Sequence, residues 1–105
     1  MRFTSFLQDG LLTVELTGEI DHHCAKGYIN AITAKIEAYT PHTCVLDFRD
    51  VTFMDSSGIA VAINALRCLN RMQGKLVLEG INPQPMKVFQ TSGIDKLIEI
   101  KERVS

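Results

Sequence analysis

Leu12, Val14 and Leu16 alternate with Thr13, Glu15 and Thr17, the period of a strand that buries one face and wets the other. A weaker alternation runs from Met1 to Leu7, with Phe3, Ser5 and Leu7 on one side. Between the two segments, Gln8-Asp9-Gly10 signals a hairpin turn. Gly18-Glu19-Ile20 ends the second strand. The spacing then becomes helical: Ala25, Tyr28, Ile29, Ile32, Ile36 and Tyr39 fall on one face. Asp21 suits the N-cap of that helix, and Pro41 stops it. Thr43 to Phe48 is a short apolar run, the mark of a central strand, and Asp50 to Gly58 reads as a loop. Ile59, Ala62, Ile63, Leu66 and Leu69 form a second helical stripe, with Gly74 placed to take the left-handed position after it. Lys75 to Glu79 is another strand. Asn82 then serves as a cap and Pro83 as the first residue of a short helix holding Met86, Val88 and Phe89, which ends near Ser92-Gly93. Leu97 to Ile100 is a last strand, and the polar tail beyond it is expected to fray.

After the opening hairpin, strands and helices alternate. That order predicts an α/β fold: a mixed, mostly parallel sheet with right-handed crossovers and helices packed on it. No linker or repeat divides the chain, so residues 1–105 are expected to form one domain. Ligands and partners of such sheets meet the loops at the carboxyl ends of the strands. The Gly18–Asp21 turn, the Asp50–Gly58 loop and the Gly80–Pro83 turn are therefore expected at one end of the domain.

Charge narrows the partners. The formal net charge is −1 with no basic cluster, which argues against nucleic acid, whose binding needs several phosphates neutralised. No apolar run approaches membrane-spanning length and no basic-then-apolar leader opens the chain, so a cytoplasmic protein without a membrane partner is expected. Cys24, Cys44 and Cys68 are too few and too far apart for a disulfide framework; Cys44 and Cys68 lie among apolar neighbours and are expected to be buried.

Met54-Asp55-Ser56-Ser57-Gly58 places two hydroxyls and a carboxylate at a strand-to-helix turn. Three readings compete there. Asp55 or a serine caps the helix; a serine carries a regulatory phosphate near the helix amides; or a serine is a nucleophile. The last lacks the first glycine of Gly-x-Ser-x-Gly, and its base would have to be His22, His23 or His42. Asp21-His22-His23-Cys24 holds metal-ligand types, but packed too closely in one turn to bind one ion together. The glycines form no phosphate-binding fingerprint, so no nucleotide cofactor is expected.

Three segments together resemble a known family: Leu16-Thr17-Gly18-Glu19-Ile20-Asp21-His22-His23, Val51-Thr52-Phe53-Met54-Asp55-Ser56-Ser57-Gly58-Ile59 and Phe89-Gln90-Thr91-Ser92-Gly93-Ile94. They are similar to the STAS-domain anti-sigma factor antagonists of the sporulation, sigma-F pathway type. The resemblance implies a partner switch. The unphosphorylated protein binds an anti-sigma factor that is also a serine kinase, and so frees the sigma factor. Phosphorylation on Ser56, with Ser57 the rival, switches it off, and a serine phosphatase resets it. ATP and metal belong to those partners; the chain itself needs no cofactor and is not an enzyme. The implied docking surface comprises Gly18, Glu19, Asp21, His22, His23, Met54, Asp55, Ser56, Ser57 and Gly58, on a protein that is a monomer when free. Ser57 is expected mainly to cap or orient the loop. Cys24, Lys26 and the proline-rich Asn82-Pro83-Gln84-Pro85 depart from the pattern and bear on which kinase is cognate. The alternative is a STAS interaction module of another bacterial stress or signalling cascade.

Overall fold

The computed structural model describes residues 2–102; Met1 and the end of the polar tail lie outside the described residues. The elements are β1 (Arg2–Gln8), β2 (Leu11–Ile20), α1 (Ala25–Tyr39), β3 (Thr43–Met54), α2 (Ser57–Arg71), β4 (Lys75–Glu79), α3 (Pro83–Ser92), a 3-10 turn at Ile94–Lys96 and β5 (Glu99–Lys101). They build one sheet in the order β1-β2-β3-β4-β5. β1 runs antiparallel to β2 and every other neighbouring pair is parallel. This is the α/β arrangement expected from the sequence.

The hairpin closes because Asp9 and Gly10 both take positive φ, 52° and 80°, whose twist matches that of the strands they join. In register across the sheet, Leu12 pairs with Cys44 and Cys44 with Leu76; Val14 pairs with Leu46 and Leu46 with Leu78. These side chains are buried with Ile32 and Ile36 of α1 and Ala65 and Leu69 of α2 in one core. Tyr28 is also fully buried, and its hydroxyl donates to the Thr17 carbonyl at 2.9 Å, so no buried polar atom is left unpaired there. Phe89 of α3 meets Phe48 edge-on, with ring centroids 5.5 Å apart. Cys44 and Cys68 are buried as expected, and burial, with a smaller contribution from Cys68, pushes the Cys44 thiol up to about 12.

Several boundaries differ from the pattern-based expectation. β3 does not end at Phe48 but continues to Met54 beside an equally extended β2. Its pairing with β2 slips between Glu15 and Thr17 and again between Gly18 and Glu19, each time placing one extra residue on β3. Phe48, Val51 and Met54 are therefore buried at a spacing of three, which hides the strand from a period-two reading. After Gly58, the buried residues of α2 are Val61, Ala62, Ala65, Cys68 and Leu69, whereas Ile59, Ile63 and Leu66 are only half-buried. The buried line contains two alanines, and the bulkier side chains flank it. The left-handed residue after α2 is Gln73 (φ 61°), not Gly74. Gly74 is needed for space, since a Cβ there would sit 3.1 Å from the Pro41 carbonyl oxygen. The last strand is Glu99–Lys101; Leu97, expected in it, is 70% exposed after the 3-10 turn.

Candidate functional site

β2 and β3 end side by side. Ile20 pairs with Met54, and the Asp55 amide donates to the Ile20 carbonyl at 3.1 Å. The turn after β2 and the serine loop after β3 therefore share one end of the sheet. His42 precedes β3 at the opposite end, where its amide donates to the Gly10 carbonyl at 2.8 Å.

β4 stops level with Asp47, where Glu79 pairs with it, so β3 runs on past its neighbour. Two side chains take over along that edge. Asn82 Nδ2 donates to the carbonyls of Arg49 (3.0 Å) and Val51 (2.8 Å). Gln84 Oε1 accepts from the Met54 amide at 2.8 Å while its Nε2 donates to the Met54 carbonyl at 2.9 Å. Asn82 stands at the N-cap position of α3 but makes no capping bond with its side chain, contrary to the expectation. Its amide group is committed to β3, whose edge carbonyls would otherwise lack partners.

The entry to α2 selects among the three candidate caps. Asp55 Oδ1 accepts from the Ser57 amide at 2.8 Å, and the Asp55 carbonyl accepts from the Gly58 amide at 3.0 Å. Ser56 occupies the N-cap position with helical φ and ψ and makes no side-chain cap bond. Ser56 is exposed, and its hydroxyl has no hydrogen-bond partner among the described residues. Ser57 is half-buried and contributes its amide, not its hydroxyl, so the capping role expected of it belongs to Asp55. The amides of Ser57, Gly58 and Ile59 are all engaged within the loop, so the helix start offers fewer open donors than its position suggests. Met54 and Gly58 are buried: a Cβ on Gly58 would collide with the Met54 side chain. These two, expected in a docking surface, are buried beneath the loop and present no side chain at its exposed face.

Across from the loop, Asp21 closes a turn. Its Oδ1 accepts from the amides of His23 (2.9 Å) and Cys24 (3.2 Å). α1 itself begins only at Ala25, so Asp21 caps the turn that leads into the helix rather than the helix. Desolvation works against ionisation of Asp21, but the His23 amide, the Cys24 thiol and amide and the His23 charge outweigh it and hold the carboxyl below its usual range. Cys24 Sγ lies 3.3 Å from the Glu19 carbonyl, tying the turn to the end of β2. Gly18 takes φ 92° one register step before the second slip, a conformation that glycine reaches freely. His22 and His23 are exposed with ring centroids 4.0 Å apart, and His22 Nδ1 lies 4.0 Å from Asp55 Oδ2. No histidine reaches Ser56 by a hydrogen bond among the described residues, and no group of three His, Cys, Asp or Glu there could hold a metal ion. No helix among the described residues is long and apolar enough to cross a membrane.

The structure thus joins Glu19, Asp21, His22, His23, Asp55 and Ser56 on one exposed surface. It adds Phe53, which pairs with Glu19 and is 41% exposed, and Gln84, neither of which was among the residues expected on that surface. A sheet with a terminal hairpin and three crossover helices, whose β2 and β3 ends jointly present a capped serine loop, is a STAS architecture. Residues 7–105 match the STAS domain, and the chain belongs to that family, among its anti-sigma factor antagonists. It is 34% identical over 83 residues to the anti-sigma F factor antagonist of Lysinibacillus sphaericus, covering 79% of this chain and 71% of that protein. It is 29% identical over 93 residues to the anti-sigma-B factor antagonist of Listeria monocytogenes, covering 86% and 78%. Among solved structures it is similar to the anti-sigma factor antagonist SpoIIAA in its unphosphorylated form, with a TM-score of 0.85 and 27% identity over 99% of this chain and 90% of that one. The phosphorylated form of SpoIIAA aligns with a TM-score of 0.76, also at 27% identity, over 99% and 93%.

Proposed function

We propose that this protein is an anti-sigma factor antagonist switched by phosphorylation of Ser56. In the unphosphorylated state it binds an anti-sigma factor that is also a serine kinase and so releases the sigma factor. The kinase passes the γ-phosphoryl group of its ATP to Ser56 Oγ: the bond to ADP breaks, the ester bond forms and the hydroxyl proton is lost. The phosphoprotein then leaves, and a serine phosphatase resets it. ATP and metal are the partners' own, and this chain is the substrate, not the enzyme. The observation that carries the reading is the division of labour at the loop. Asp55 caps α2, which leaves the Ser56 hydroxyl exposed and without a structural task.

Mass spectrometry after incubation with the cognate kinase and ATP tests this. The expected result is one phosphate on Ser56 and none on Ser56→Ala. Stoichiometric phosphate on Ser57 instead would overturn the assignment. A second reading is favoured by the sigma-B-type relative, 29% identical to this chain: the same switch in a stress cascade rather than a sporulation one. Binding assays against sigma-F-type and sigma-B-type anti-sigma factors separate the two.

A further inference from the structure

A groove of about 470 Å³ opens between the start of α2 and one face of α3, with Ser56 and Ile59 on one wall and Gln84, Lys87, Val88 and Thr91 on the other. Gln84 is clamped to Met54, and Lys87 follows it by three residues, which puts both on the same face of the helix. Lys87 is the only cation lining the groove among the described residues. The charged groups around Ser56 come from three elements. Asp55 lies in its own loop; Glu19, Asp21, His22 and His23 lie at the end of β2 and in the turn after it; Lys87 lies on α3; and α2 carries no charge before Arg67. A phosphate on Ser56 arrives with about −1.5 to −2 charges next to the Asp55 carboxylate, which already occupies the Ser57 amide. The favourable direction for it is away from Asp55.

From this the geometry points to Lys87 as the counter-ion of phosphorylated Ser56, with the α2–α3 groove as the place where the phosphoryl group rests. The pairing is electrostatic and local. Lys87 holds the phosphate dianionic near neutral pH and draws it to the α3 side of the loop. Lys87 is a positioning residue for the switch, and the inference rests on Ser56 being the modified serine.

The test reads the phosphate itself. Phosphoserine is installed at position 56 during synthesis, and its second ionisation is followed by 31P NMR in the full chain. One unit charge at ~6 Å, in an effective dielectric between ~40 and ~80, moves that ionisation by roughly half a unit to one unit. Lys87→Gln is expected to raise the phosphate pKa by that amount, Lys87→Glu by about twice as much, and Lys87→Arg to leave it near the wild-type value. Lys87 is exposed, so these variants are expected to fold. If Lys87→Gln and Lys87→Glu both titrate within about 0.2 units of wild type, Lys87 is not the counter-ion. Because no kinase is used, that failure is separate from the failure of the switch, which kinase-driven phosphate on Ser57 would signal.

Discussion

Gln84→Ala is the most revealing perturbation of the loop's support. The side chain closes a pair of hydrogen bonds on Met54, at 2.8 and 2.9 Å, where β3 has outrun β4. A backbone hydrogen bond of this kind contributes a net ~0.5–1.5 kcal/mol, and an orphaned buried group costs ~1–3 kcal/mol. Here both bonds are part-buried and Gln84 itself is exposed, so water can partly replace it. The expected loss is about 1–2 kcal/mol of stability, or roughly 4 to 16 °C in Tm for a domain near this size. The readout that isolates the clamp is hydrogen exchange at the Met54 amide, expected to quicken roughly five- to thirtyfold. Gln84→Glu is a sharper second test: it keeps an acceptor for the amide but faces the Met54 carbonyl with no donor, so it should be no better than alanine. A Gln84→Ala protein within ~0.3 kcal/mol of wild type, with unchanged exchange at Met54, would refute the reasoning.

Other perturbations reach the two turns. Asp55→Ala removes the cap of α2 and should cost about 1 kcal/mol in denaturant titrations, whereas Ser57→Ala, whose hydroxyl caps nothing, should cost less than half of that. Gly18→Ala meets no neighbouring atom, so its expected loss of about 1–2 kcal/mol comes from holding alanine at φ 92°; loss of that order with unchanged contacts in a crystal structure of the variant checks it. The Asp21 carboxyl is lowered in the folded state, so it adds stability above the ordinary carboxylate pKa, and this is lost as pH falls through the folded value. NMR titration should find its midpoint below that of an unstructured peptide, and Asp21→Asn should flatten the acid side of the stability profile.

The hairpin and α1 were legible because their side chains keep a single period: Leu12, Val14 and Leu16 fall inward on every second residue, and Tyr28, Ile32 and Ile36 on every fourth. The far half of β3 was not, because two register slips bury Phe48, Val51 and Met54 at every third residue, matching neither period. The candidate loop was visible as a set but not as an assignment. Asp55, Ser56 and Ser57 can all cap a helix, and only the 2.8 Å bond from the Ser57 amide says that Asp55 does. Asn82 and Gln84 act on backbone about 30 residues away, and their local sequence, an Asn-Pro helix start, signals a cap instead. That misdirection arises because a side chain's bonding follows the nearest unpaired backbone group, which here lies on another element.

The central claim is that charge on Ser56 decides whether the anti-sigma partner binds. A unit charge pair at ~4 Å in an effective dielectric of ~20 interacts by about 4 kcal/mol, close to a thousandfold in affinity. Calorimetric titration of the cognate anti-sigma factor with the unmodified protein and with the protein carrying phosphoserine at position 56 measures this directly. The account predicts firm binding of the first and a loss of at least a hundredfold with the second. Equal affinity within about threefold would contradict it.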